Sequence, residues 1–269
     1  MACALLLVSW SCVGAKGPPV VLAATSVLEE TGILQAWVDD FQSRSGWEVE
    51  VEAVPDIDAL QAARYGECDV VITHLPSQEE QLERYGYVEG RQEVMHDDFI
   101  LVGPPDDPAG TKEAENSPEA FLKIAEAQQP FIYRTDGSGT SFRTQTIWAT
   151  TGVEDFGDWL IEIEEGMKDT LRLASLDGAY TLSDRSSYQQ ISGELDLEIL
   201  FEGEELLDNP YHVMVVSSAV YPDTNSEGAL ELVDYLLSEE AGKFFELGAW
   251  KPPSDKDGSE PDEAGGGGG

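Results

Sequence analysis

One segment of this chain places a cation beside a glycine loop: Tyr133-Arg134-Thr135-Asp136-Gly137-Ser138-Gly139-Thr140. A short apolar run precedes it and a helical stretch follows it, so it reads as strand, loop, helix. In that setting glycines let backbone N–H groups approach a ligand. Ser138 and Thr140 add hydroxyl donors, and the start of a helix carries partial positive charge. Arg134 supplies a full charge and a planar fork of donors suited to an oxyanion. An anion site is one reading of these residues. The other is local: Ser138 or Thr140 caps the helix, and Arg134 neutralises one of many carboxylates, such as Asp136. A second segment, Ala23-Ala24-Thr25-Ser26, has the same setting, directly after a buried run and before a helix.

The elements around these loops alternate. Residues 20–24 read as a buried strand. Ile33, Leu34, Trp37, Val38 and Phe41 follow at helical spacing, and Gly46 ends that helix. Residues 47–54 read as a strand with Trp47, Val49, Val51 and Ala53 on one face. A short helix around Ala59, Leu60 and Ala63, a strand at 70–73, a helix around Leu82 and Tyr85, and a strand at 99–102 continue the pattern. This order argues for an α/β fold with a parallel sheet. Prolines 104, 105 and 108 lack backbone donors and cannot continue a ladder, which makes them a boundary signal. A second α/β unit follows, with helices at 121–127, after Thr140 and at 167–174, and strands at 131–133, 179–182 and 197–201. Asn209-Pro210 marks another break. Beyond it come a strand at 211–216 and a terminal helix through Leu230, Leu232, Val233, Leu236 and Leu237. The expected division is 19–103 with 210–250 as one lobe and 104–209 as the other. Such a chain has two crossovers and a cleft. Ligands of open parallel sheets bind beyond the carboxyl ends of the strands.

Composition narrows the function. Asp and Glu number 53 against 15 Lys and Arg, a formal charge of −38, which repels phosphate backbones and excludes nucleic-acid binding. Such acidity suits either a saline habitat or an extracytoplasmic surface. A hydrophobic content of 41% is ample for a packed core. The three cysteines, Cys3, Cys12 and Cys68, form neither a metal motif nor a disulfide framework. A short apolar run before Ser11-Cys12 gives residues 1–18 the look of a signal segment with Cys12 as a lipidation site, although no basic residue precedes it. Residues 251–269 read as a flexible acidic and glycine-rich tail.

Several motifs in order resemble those of the tungstate-type substrate-binding proteins of ABC importers, over roughly residues 20–245. They are Asp69-Val70-Val71-Ile72-Thr73-His74-Leu75-Pro76, the segment from Val94-Met95-His96-Asp97-Asp98-Phe99 through Asp106-Asp107-Pro108-Ala109-Gly110, the 134–140 loop, Gly178-Ala179-Tyr180-Thr181-Leu182-Ser183-Asp184-Arg185, and Asn209-Pro210-Tyr211. The resemblance implies a two-lobed type II periplasmic binding protein, each lobe a mostly parallel sheet flanked by helices. It also implies a tetrahedral oxyanion, tungstate or molybdate, as ligand and a membrane ABC permease as partner. A monomer without cofactor or catalytic activity is expected, located in the periplasm or at the cell surface. Carried over by position, Arg134, Ser138, Gly139 and Thr140 bind the oxyanion from the second lobe, and Thr25 and Ser26 from the first. His74 matches a family position that either contacts the ligand or orients its loop. Asp184 and Arg185 read as a structural ion pair.

The sequence departs from the family at three places. Ala24 and Val27 stand where the family has hydroxyl residues, and Pro55-Asp56-Ile57 replaces a Gly-Thr-Gly turn. A carboxylate about 4 Å from a dianion, at an effective dielectric near 20, opposes binding by roughly 8 kcal/mol. That removes roughly five or six decades of affinity. Asp56 therefore points away, is protonated, or signals a different ligand, such as a protonated oxyanion like phosphate or a zwitterion. A hydrolase using Ser138 or His74 is the remote alternative.

Overall fold

The structure is a computed structural model and describes residues 16–253. Residues 1–15 of the expected signal segment, with the expected lipidation site Cys12, and residues 254–269 of the expected tail lie outside the described residues. Among those described, no helix is long and apolar enough to cross a membrane. The chain divides into two compact units.

Unit 1 holds the described residues up to Arg91 together with Val213–Phe244. Its elements begin with β1 (Val20–Thr25), α1 (Ser26–Thr31), α2 (Ile33–Ser45) and β2 (Val49–Val54). They continue with α3 (Asp56–Tyr65), β3 (Val70–Thr73), α4 (Pro76–Arg84) and the start of β4 (Val88–Gly103). β1 lies between β2 and β3, parallel to both, with Thr25 opposite Val54 and Ala24 opposite Ile72. Being central, it is built of small and β-branched residues and is buried along all but one position. The apolar stripe expected on the following helix, Ile33, Leu34, Trp37, Val38 and Phe41, is wholly buried on α2. Gly32 and Gly46 flank α2 with positive φ, the left-handed geometry that glycine adopts without a Cβ clash. The face expected to carry Trp47, Val49, Val51 and Ala53 is only partly covered. β2 is the sheet edge, Val51 is exposed, and Trp47 is buried ahead of the strand.

Unit 2 holds Gln92–His212 and the described residues from Phe245 on. After the remainder of β4 come α5 (Ser117–Ala127), β5 (Phe131–Arg134), α6 (Gly139–Thr151) and β6 (Leu160–Ile163). Next are α7 (Met167–Asp177), β7 (Tyr180–Asp184), α8 (Arg185–Ile191), β8 (Glu198–Phe201) and β9 (Asp208–Val216). β5 runs parallel to β6 and β7, whereas β4 is antiparallel to β7 and β8. Both faces are buried. Phe99, Leu101 and Phe131 join one core with Phe121, Trp148 and Tyr180, while Ile100, Val102 and Ile132 join another with Met167 and Leu171. The period of two along β4 and β5 thus divides successive apolar residues between two layers.

The division falls elsewhere than expected. The chain leaves unit 1 between Arg91 and Gln92, inside β4, and returns between His212 and Val213, inside β9. The proline segment ends β4 and does not separate the units. α9 (Ser226–Leu236) and α10 (Glu239–Gly242) complete unit 1. From Phe245 the chain joins unit 2, a third passage beyond the two expected. There Lys251 bridges His96, and the Ala249 N–H donates to Ser186 Oγ at 2.8 Å.

Candidate functional site

In unit 2 the glycine loop joins the carboxyl end of β5 to the start of α6, the strand-to-helix setting read from the sequence. Gly137 takes positive φ and turns the chain. Arg134 is almost wholly buried. Its Nε donates to the Glu165 carbonyl at 3.1 Å, its Nη1 lies 3.6 Å from Met167 Sδ, and its Nη2 donates to the Asp136 carboxylate. Ser138 Oγ donates to Asp136 Oδ1 at 2.7 Å, and the Ser138 N–H to the same oxygen at 3.2 Å. Ser138 Oγ also accepts from the Ser141 N–H at 3.3 Å as the N-cap of α6. Gly139 and Thr140 are the first two helical residues. Thr140 is 2% exposed, and its Oγ1 has no hydrogen-bond partner among the described residues. The local reading therefore holds for Ser138 and for the Arg134–Asp136 pair. Thr140 differs: a buried hydroxyl with no partner among the described residues is costly.

In unit 1 the parallel register brings the carboxyl ends of β1, β2 and β3 to one edge, so Thr25, Asp56 and His74 meet there. Asp56 is fully buried at the first position of α3. Its Oδ2 accepts from Thr25 Oγ1 at 2.9 Å and lies 3.1 Å from His74 Nε2. Its Oδ1 accepts from the His74 N–H at 3.0 Å. Both carboxylate oxygens of Asp56 thus face internal donors. The same bond directs the Thr25 hydroxyl hydrogen inward. Ser26 is half-buried at the start of α1, and Val27 is buried. His74 is tied to Asp56 through its backbone N–H.

One expectation is corrected. Asp184 and Arg185 do not pair with each other. Asp184 is buried and caps α8, accepting from the Ser187 N–H at 2.7 Å. Arg185 extends instead to Asp98, with Nε to Oδ1 at 2.8 Å, and to Glu202. Asp97, next to that pair, has its carboxyl pushed up to about 7, first by burial and then by the Asp184 charge.

One feature escaped sequence reasoning. Glu79 is fully buried on α4 and accepts from Thr73 Oγ1 at 2.8 Å, the Leu75 N–H at 2.9 Å and Arg91 Nε at 3.0 Å. It secures the loop that carries His74, and no motif marks it. Asp136 binds three donors of its own loop. Its spacing of two from both Arg134 and Ser138 was visible, but the geometry was not.

A family model described as a PBP superfamily domain matches residues 14–240. A putative ABC transporter anion-binding protein of Haloferax volcanii is 38% identical over 84% of this chain and 68% of its own length. The tungstate-binding protein TupA of Peptoclostridium acidaminophilum is 35% identical over 84% of this chain and 80% of its own. The solved structure of the tungstate ABC transporter from Geobacter sulfurreducens is 33% identical, with a TM-score of 0.74 over 85% of this chain and 98% of that one. With parallel strand pairs flanked by helices in each unit and an arginine loop at the start of α6, the chain belongs to the PBP superfamily domain family, alongside these anion- and tungstate-binding relatives.

Proposed function

We propose that the protein is an extracytoplasmic receptor that binds a tetrahedral oxyanion, tungstate or molybdate, and delivers it to an ABC permease. The loop of unit 2 supplies the chemistry: a buried guanidinium, a helix start and the hydroxyls of Ser138 and Thr140. In unit 1, family resemblance assigns Ser26 as a ligand residue, while the Thr25 hydroxyl hydrogen is given to Asp56. The observation that carries the reading is Thr140 Oγ1, buried beside this loop with no partner among the described residues. The names of the relatives favour tungstate. Several hydrogen bonds to a charged group, each worth roughly 1.5–3 kcal/mol, offset the repulsion of an acidic protein surface.

The hydrolase alternative finds no support in the loop. The Ser138 hydroxyl donates to a carboxylate, and His74 is engaged with Asp56. Calorimetric titration with tungstate, molybdate, sulfate and phosphate tests the reading. Saturable heat with tungstate or molybdate is expected, and none with any of the four overturns it. Fractionation of cells expressing the chain from its own start tests the location, and recovery only in the cytosol counts against a receptor role.

A further inference from the structure

We propose that Asp136 is an affinity-setting residue of the anion loop: a built-in carboxylate that occupies the donors an incoming oxyanion requires. The proposal rests on the receptor reading above and identifies what the ligand must displace.

The donor inventory of the loop carries the argument. A serine hydroxyl has one hydrogen to give, and a guanidinium has five N–H groups in a fixed plane. Ser138 gives its hydroxyl hydrogen and its backbone N–H to Asp136 Oδ1, and Arg134 Nη2 gives to Asp136 Oδ2. Arg134 Nε is held by the Glu165 carbonyl, and Nη1 rests against Met167 Sδ. Each of these Asp136 contacts is one that a tetrahedral oxyanion would make with the same donors, so carboxylate and ligand compete. Asp136 is suited to exchange. It sits on the loop itself, and its side chain keeps 14% of its surface in solvent, against 3% for Arg134. It can turn outward while the guanidinium stays fixed.

Competition of this kind has a definite consequence. Displacing a bound carboxylate demands an acceptor that repays both the lost ion pair and the lost hydrogen bonds. A dianion does so more fully than a monoanion, because its attraction to the guanidinium is doubled at equal distance. Asp136 therefore lowers absolute affinity, by the same displacement cost for every anion that takes these donors. Asn at this position keeps the shape and one acceptor oxygen but removes the competing charge.

Titrations of tungstate and of the monoanion perchlorate into the wild type, Asp136→Asn and Asp136→Ser test the proposal, each variant first checked by its melting curve. Tungstate affinity is expected to rise at least about tenfold in both variants, and perchlorate binding, where measurable, to rise with it. In an Arg134→Ala background the Asp136→Asn gain is expected to vanish. If wild type binds tungstate and both variants bind it equally or more weakly, Asp136 is a positioning residue and the proposal fails alone. If neither wild type nor variants bind any oxyanion, the receptor reading fails and this proposal with it. A variant that does not fold is replaced by the other.

Discussion

Arg134 and Asp136 stand two residues apart on one loop, and the guanidinium of the first donates to the carboxylate of the second. The pair decides how this loop behaves on mutation. Arg134 is buried and also donates to the Glu165 carbonyl, so it both presents charge and ties the loop to the start of α7. An arginine that served only as ligand would be silent in the unliganded fold.

Arg134→Ala is therefore expected to weaken tungstate binding by at least about 2–3 kcal/mol, or roughly 30–150-fold. It also lowers the melting temperature of the ligand-free protein, because Asp136 loses its cation. Arg134→Lys recovers only part of the affinity, since an ammonium keeps charge but lacks the planar fork. Titration and ligand-free melting on the same variants check both effects, and unchanged affinity would remove Arg134 from the site.

Thr140→Val separates ligand binding from folding. The hydroxyl has no partner among the described residues, and valine has nearly the same shape, so the ligand-free melting temperature is expected to hold or rise. Affinity for tungstate is expected to fall roughly tenfold or more, the loss of one hydrogen bond to a charged ligand. A drop in melting temperature without loss of affinity would assign Thr140 to the fold.

Asp56→Asn tests the interior of unit 1. The carboxylate accepts from Thr25 Oγ1 and the His74 N–H, and an amide turns one acceptor into a donor facing a donor. The variant is expected to lose roughly 1–3 kcal/mol of stability. Urea unfolding measures it. A stable variant with tighter tungstate binding would instead mean that Asp56 opposes the ligand.

The Asp97 carboxyl gives a pH dependence of unusual sign. Its folded value of about 7 lies above the ordinary 3.8. Between these values the folded protein retains a proton that the unfolded chain has released. This group's contribution to stability therefore falls as pH rises through that window, and levels off above about 7. Asp97→Asn stays neutral throughout. Relative to wild type it is expected to melt higher at pH 8 than at pH 4.5 by at least about 3 °C, the effect of roughly 1 kcal/mol in a chain of this size. Melting curves at both pH values decide it, and a pH-independent difference would refute the assignment.

The sequence by itself determined the alternation of strands and helices, the buried stripe of α2 and the strand–loop–helix setting of Arg134 to Thr140. These depend on periodicity and on local chain geometry, which act over a few residues. It also carried enough ordered motifs to point to the family. It did not show that β4 extends back to Val88, because Glu89, Arg91, Gln92 and Glu93 lack an apolar alternation. Nor did it locate the passages between units, which fall inside strands and leave no turn signal. Only the tertiary structure decided the partners of the charged groups. Thr25, Asp56 and His74 meet because three parallel strands end at one edge, and Arg185 reaches Asp98 rather than its neighbour Asp184. A charge finds its partner through space. In a chain with 53 carboxylates, sequence spacing cannot choose among them.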